Sequence, residues 1–186
     1  MERNRLVGVT GVTGVGKDFL TQEANTGLGL LTLNIGTLVG RNLATDRDLM
    51  MGSADPVDIY RAQMSAYQEA VVSQPAIVTC HAVRQYPHGL DYRWEMEQVF
   101  NPELYVFIKA DPELIASRVE ARNARGERQC EMRDTASIEQ EQLLKLKRME
   151  ELTGKLGCGL VVIDNSDQST AESVQIMKEA IAQIAS

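Results

Sequence analysis

Gly11-Val12-Thr13-Gly14-Val15-Gly16-Lys17-Asp18 follows the apolar run Leu6-Val7-Gly8-Val9 and leads into Phe19-Leu20-Thr21-Gln22-Glu23-Ala24. A strand, a glycine-rich turn ending in lysine and then a helix is the setting in which main-chain N–H groups converge on one phosphate. Glycines let the backbone curl, the helix N-terminus adds its positive dipole, and Lys17 brings a mobile charge for the β- and γ-phosphates. The spacing G-x-x-x-x-G-K is complete, but Asp18 stands where the pattern has Ser or Thr. The residues expected to touch a nucleoside triphosphate such as ATP run from Gly11 through Phe19. A dinucleotide-binding reading of Gly11, Gly14 and Gly16 fails on the lysine, and on the lack of a lone acidic residue closing a clear second strand. A tight structural turn with an incidental lysine is the remaining alternative.

Length and charge bound the class. The chain of 186 residues suits one domain with a proper core and is too short for two full ones. With 44% hydrophobic and 24% charged residues it has the composition of a folding chain. A net charge of −7 argues against general binding to nucleic acid or an anionic membrane, so a phosphate ligand must be met by local Arg and Lys clusters. Cys80, Cys130 and Cys158 are far apart and lack C-x-x-C spacing, which fits reduced thiols and offers no zinc site. Met1 to Arg5 is charged, and the apolar run behind it is too short for a signal peptide or membrane span. The expectation is a soluble, cytoplasmic protein.

Residues 29–34 read as a second strand, Thr37 to Ala44 as a helix, and Thr45-Asp46-Arg47-Asp48 as a charged turn. Asp55-Pro56 offers an N-cap and a proline at the first helical position, and Val57, Tyr60, Met64, Tyr67 and Val71 then step along one helix face. Residues 75–80 form an apolar run without alternation, as a buried parallel strand has. His81 to Tyr92 reads as an irregular loop, and residues 94–100 as a short helix. Leu104 to Ile108 reads as a fourth strand, and a helix follows from Asp111-Pro112 to about Asn123. Arg125 to Arg133 has no apolar period. Asp134 to Ser137 caps a long helix carrying Leu146, Met149, Leu152 and Leu156. Leu160 to Asp164 is a fifth strand, and the last helix buries Val174, Met177, Ile181 and Ile184. Strands separated by helices predict a three-layer α/β/α sandwich around a five-stranded parallel sheet, in one domain spanning 1–186. Ligands then gather beyond the C-terminal strand ends, where the glycine-rich turn, Thr37, Thr79 and Ala110 fall.

With these landmarks placed, the chain resembles the P-loop nucleoside monophosphate kinases, and among them the archaeal-type adenylate kinases. The resemblance runs nearly end to end. It is carried by Val9-Thr10-Gly11-Val12 into the P-loop, Asn34-Ile35-Gly36-Thr37, Asp46-Arg47-Asp48-Leu49-Met50 and Val78-Thr79-Cys80-His81. Ala110-Asp111-Pro112-Glu113-Leu114-Ile115 with Arg118, Arg133-Asp134 and Ile163-Asp164-Asn165 complete it. It implies the fold of the P-loop NTPases and transfer of the ATP γ-phosphate to a nucleoside monophosphate with Mg²⁺, AMP being the first candidate. It also implies a monophosphate-binding region around residues 35–70, a short lid around 122–134, and the homotrimer common among the archaeal enzymes.

Phosphoryl transfer is mostly positioning and charge neutralisation, so cations must surround the γ-phosphate. Lys17 is the first. Between residues 118 and 133 stand Arg118, Arg122, Arg125, Arg128 and Arg133 against Glu120, Glu127 and Glu131, a net +2 in a chain of −7. That reversal fits a lid closing on an anion, with Arg128 and Arg133 as its catalytic cations; a solvated helix end with paired charges is the plainer alternative. Thr37 and Arg41 lie where the resemblance places monophosphate contacts, and Arg61 and Arg84 are further candidates to clamp the acceptor phosphate. Met51 departs from the resemblance, which has another arginine there.

A second departure concerns the metal. Mg²⁺ in a P-loop site takes a hydroxyl from the residue after the lysine, while an Asp at a neighbouring strand end holds its water. Here those positions are Asp18 and Thr79, so carboxylate and hydroxyl have changed places, and both are expected as metal ligands. A decayed site holding no metal is the alternative. An ionised phosphate acceptor needs no general base, so His81 is expected to be structural, and His88 has no metal-like spacing. Two rivals remain open. One is a kinase of another small acceptor, such as CMP, a deoxynucleoside monophosphate or a non-nucleotide metabolite; the other is a regulatory or assembly protein that binds nucleotide with vestigial chemistry.

Overall fold

Alternation along β1 (Asn4–Gly11) divides the core in two: Leu6 joins one buried cluster, Val7 and Val9 the other. The computed structural model describes residues 3–43, 55–86, 89–126, 132–166 and 170–185. Following β1 come α1 (Lys17–Asn25), β2 (Leu31–Asn34), α2 (Ile35–Asn42), α3 (Pro56–Val72) and β3 (Ala76–Thr79). Then come β4 (Arg84–Tyr86), β5 (Gly89–Asp91), α4 (Trp94–Phe100), β6 (Pro102–Lys109) and α5 (Pro112–Ala124). The chain continues through α6 (Thr135–Leu156), β7 (Gly159–Asp164) and α7 (Thr170–Ala185).

Five strands form one parallel sheet in the order β2-β3-β1-β6-β7. One face is covered through Val39 of α2, Tyr67 of α3, Phe100 of α4 and Met149 of α6; the other through Leu20 of α1, Ile115 of α5 and Ile181 of α7. This is the expected α/β/α sandwich. Pairings of Val9 with Thr79, Asn34 with Thr79, Gly11 with Ile108 and Lys109 with Asp164 bring the strand ends to a common edge. The chain leaves β1 between β3 and β6, the switch point of the strand order beside which open sheets of this kind bind ligands.

The expected caps form. Asp55 Oδ1 accepts from Val57 N at 2.7 Å, Asp111 Oδ1 from Glu113 N at 2.8 Å, and Asp134 Oδ1 from Ser137 N at 2.8 Å. Asn34 also caps, accepting from Thr37 N at 3.1 Å, so α2 starts at Ile35, two residues before the expected Thr37. One expectation is overturned. Residues 81–92, read as an irregular loop, contain an antiparallel hairpin in which Arg84 pairs with Asp91 and Tyr86 with Gly89. Its three-residue strands are too short to show a period. The Asp46-Arg47-Asp48 turn, Met51, His88, Arg128 and Cys130 lie outside the described residues.

Candidate active site

The phosphate loop is built by its glycines. Gly16 has φ 93°, and a Cβ there would stand 2.5 Å from Asn165 Nδ2. Gly14 has φ 88°, and a Cβ would meet Val119 Cγ2 at 2.8 Å. Both positions therefore exclude side chains. Val12 and Val15, which follow Gly11 and Gly14, are fully buried and pin the curl from beneath. Lys17 Nζ donates to the carbonyls of Gly11 at 3.1 Å and Val12 at 2.9 Å, which lays its stem along the inside of the loop. Leu20 N donates to Gly16 O at 3.1 Å, so α1 starts directly beneath the turn and its first N–H groups open into it.

Asn165, just past β7, donates to Val15 O at 2.8 Å and ties the loop to the far side of the sheet. Arg118 of α5 supports the same junction, donating to Val15 O at 3.5 Å and Asn165 O at 3.4 Å. Expected among the lid arginines, Arg118 here braces the loop. Gly14, Gly16, Phe19, Arg118, Arg122, Arg125 and Asn165 line a hollow of about 310 Å³. Phe19 is 54% exposed, so its ring is available to a flat ligand. A hollow of about 500 Å³ at the opposite strand ends is lined by Arg3, Glu103 and Gln183 and holds none of the residues named for chemistry.

The metal pair is split between two settings. Asp18 is exposed on the first turn of α1. Thr79 is buried at the end of β3, its hydroxyl donating to Leu33 O at a long 3.4 Å. Carboxylate and hydroxyl are hard oxygen donors of the kind Mg²⁺ takes beside substrate phosphates and water. The described residues hold no group of three or more His, Cys, Asp or Glu that would cage an ion without them.

A second group of cations gathers at the same edge. Arg133 pairs with Glu141 of α6, and Glu141 Oε1 stands 2.8 Å from Lys145 Nζ. Lys145 is only 7% exposed; burial first, then the charges of Arg133 and Arg84, push its pKa down to about 8. Arg84 Nε donates to His81 O at 2.8 Å. Its charge and that of Lys17 both act on the buried Cys80 thiol, whose pKa burial nevertheless drives up to about 12. Cys80 thus lies within electrostatic reach of both Lys17 and Arg84, and His81 serves Arg84 through its carbonyl.

Behind Arg84 lies a buried carboxylate. Glu97 is 1% exposed, accepts a hydrogen bond from the Tyr105 hydroxyl, and has the Tyr67 hydroxyl at 3.4 Å. Burial lifts its pKa to about 7, opposed by Tyr105, Arg84 and Tyr67 in that order. The other candidate arginines lie elsewhere. Arg41 pairs with Glu69 of α3 and Arg61 with Asp58 at 3.6 Å, with side chains 60% and 76% exposed; Thr37 is exposed on α2. Sequence reasoning missed Glu97, Gln142, Lys145 and the bracing role of Asn165. Glu97 carried one signal, a carboxylate inside the apolar stripe of Met96 and Phe100.

No family model matches the chain. It is 30% identical over 118 residues to the adenylate kinase of Thermoplasma acidophilum, a match covering 59% of this chain and 63% of that protein's length. Among solved structures it superposes on a gluconokinase from Sinorhizobium meliloti with TM-score 0.59 and 22% identity, over 99% of this chain and 95% of the other. A shikimate kinase from Acinetobacter baumannii in complex with shikimate gives TM-score 0.63 and 16% identity, over 96% and 93%. The chain has the P-loop kinase fold.

Proposed function

We propose that this chain is a kinase that moves the γ-phosphate of ATP to a nucleoside monophosphate, with AMP the foremost acceptor. The observation that carries this is the gathering of Lys17, Arg84, Lys145 and Arg133. Arg133 and Lys145 are joined by Glu141, and the charges of Lys17 and Arg84 both reach the buried Cys80 just past β3. The 30% identity to an adenylate kinase supports the acceptor. Loop amides and Lys17 hold the triphosphate, and the base lies in the hollow between Phe19 and Arg122. Arg84 and Lys145 hold the acceptor's phosphate, and Arg133 neutralises the group in flight. Residues 35–70 form the acceptor region and 122–134 the lid of a single domain.

An acceptor phosphate oxygen forms the new P–O bond while the bond from the γ-phosphorus to the β–γ bridging oxygen breaks. ADP departs with that electron pair. The acceptor oxygen is already ionised, so no general base is required. The side chains spread the transition-state charge over fixed cations and exclude water. Asp18 and Thr79 would hold Mg²⁺, whose contribution is to screen the phosphate oxygens.

A second reading, a kinase of another small anionic acceptor, draws on the gluconokinase and shikimate kinase likenesses and on Arg41 and Arg61 being engaged by carboxylates of α3. Incubation with γ-labelled ATP, Mg²⁺ and a panel of AMP, CMP, deoxynucleoside monophosphates, gluconate and shikimate separates the two. Label passing to AMP in preference is expected; transfer confined to the sugar acid or shikimate would replace the first reading by the second. ATP binding without transfer to any acceptor would end both.

A further inference from the structure

Arg84 stands at a boundary. Outward it shares its surroundings with Lys145, and through Lys145 with Arg133; inward it faces the phenol of Tyr67 and the carboxylate of Glu97. Three cations here have two carboxylates near them, Glu141 on the outer side and Glu97 on the inner. Glu97 serves no cap or surface ion pair. It is buried, and reached by the hydroxyls of Tyr67 of α3 and Tyr105 of β6, two members of the first core cluster whose rings both pack on Phe100, at 5.3 and 5.9 Å. A carboxylate in such a place costs stability when ionised, so its contribution must lie elsewhere.

We propose that Glu97 is a positioning residue that fixes the Arg84 guanidinium toward the acceptor's anionic group. The proposal rests on the acceptor reading above. The Tyr105 and Tyr67 hydroxyls donate to the carboxylate, the Tyr67 oxygen thereby turns its lone pairs to Arg84, which hydrogen-bonds it, and the His81 carbonyl fixes the Nε edge. With Glu97 ionised, the three cations stay together beside Glu141 without scattering by mutual repulsion. With Glu97 protonated, Arg84 keeps the Tyr67 hydroxyl but loses the negative charge behind it, and the acceptor site loosens. The groups facing Glu97 are Tyr67 from α3, Cys80 and Arg84 from the segment after β3, Tyr105 from β6 and the more distant Cys158 before β7. The three phenols and thiols nearest it, Tyr67, Tyr105 and Cys80, are all held neutral at physiological pH by burial, so Glu97 is the group among them that changes charge near neutrality.

The test uses the full chain with MgATP and AMP. Glu97→Gln is expected to raise the KM for AMP roughly tenfold, equivalent to ~1.4 kcal/mol, and to leave the KM for ATP unchanged. In the unsubstituted protein kcat/KM for AMP falls as pH drops from 8 to 6; in Glu97→Gln only the fall set by the second ionisation of the AMP phosphate, near pH 6, remains. Tyr105→Phe removes a donor to the carboxylate and moves the limb to higher pH, which serves where Glu97→Gln folds poorly. In an Arg84→Ala background Glu97→Gln adds no further rise in KM. An unchanged or lowered KM and an unaltered pH limb in Glu97→Gln would overturn the proposal. The ¹⁵Nε resonance of Arg84, followed against pH with no substrate present, keeps this separate from the kinase reading. A transition near neutrality that disappears in Glu97→Gln upholds the coupling even if no acceptor is phosphorylated; a resonance indifferent to Glu97 sinks it even if AMP is the substrate.

Discussion

Gln142 grips Ala110 at both ends of its side-chain amide: Oε1 accepts from the Ala110 N–H at 2.9 Å, and Nε2 donates to the Ala110 carbonyl at 3.0 Å. Ala110 is the first residue past β6, so this pair fixes α6 to the strand edge. α6 also carries Glu141 and Lys145, and the grip sets where those groups stand. Gln142→Ala leaves two buried main-chain groups unpaired and is expected to lower unfolding stability by about 1–3 kcal/mol. The KM for the acceptor should rise while ATP affinity holds. Denaturant unfolding and ATP titration measure the two effects separately.

Gly16→Ala should abolish ATP binding and cost about 1–3 kcal/mol of stability. Two causes act together, the left-handed backbone at φ 93° and the Asn165 amide 2.5 Å from the added methyl. Gly16→Ala with Asn165→Gly removes the clash and leaves the strain, so stability should recover in part. ATP binding should stay weak, because the Val15 carbonyl has lost the close Asn165 donor and keeps only Arg118 at 3.5 Å. Calorimetric titration with ATP of both variants checks the order.

Lys145 gives the pH dependence a definite sign. Its folded pKa of about 8 lies below the ordinary 10.5, so the unfolded chain binds more protons between those values and stability rises with pH across that window. Below about pH 8 the buried ammonium costs the fold of order 3 kcal/mol. Lys145→Met should therefore raise the melting temperature at pH 7, leave it nearly unchanged at pH 10.5, and weaken acceptor binding. In the intact enzyme kcat/KM for the acceptor should fall as pH passes above about 8, and that alkaline limb should be missing from the Met variant.

Local chemistry made most of the frame readable. The glycine spacing before Lys17, the Asp-Pro caps at Asp55 and Asp111, and the apolar runs that became β1, β3, β6 and β7 are encoded within a few residues of themselves. Gln142 and Ala110 are separated by 32 residues, and Tyr67 and Glu97 by 30, so their meaning arises only when the sheet assembles. Arg61 has its partner three residues back, visible as helical spacing, whereas Arg41 finds Glu69 28 residues away. The lid arginines were legible as a charge reversal, but the division between Arg118 bracing the phosphate loop and Arg133 joining Glu141 was not. That division depends on which side of α5 and α6 meets the strand edge.

The interchange at the metal position can be tested by restoring the usual order. If Asp18 supplies the carboxylate and Thr79 the hydroxyl, Asp18→Thr and Thr79→Asp should each lower Mg²⁺-dependent transfer by roughly 10- to 100-fold. The combined exchange should return most of it. Mn²⁺ affinity of the ATP complex, read by electron paramagnetic resonance, should follow the same pattern. Equal losses in all three variants would sink the exchange of roles, and wild-type Mn²⁺ affinity in all three would remove both residues from the metal.

Glu97 makes a separate thermodynamic prediction. Its folded pKa of about 7 lies above the ordinary 4.5, so between those values the folded chain holds the extra proton and stability falls as pH rises. Above about pH 7 the ionised carboxylate costs of order 3 kcal/mol relative to its protonated form. Gln resembles the protonated acid in size and hydrogen bonding. Glu97→Gln should therefore match the unsubstituted protein at pH 4.5 and exceed it at pH 8 by a margin approaching that figure. Denaturant unfolding at the two pH values reads it directly. Greater stability at pH 8 together with weaker acceptor binding would mean that the ionised carboxylate is retained for the site at the expense of the fold.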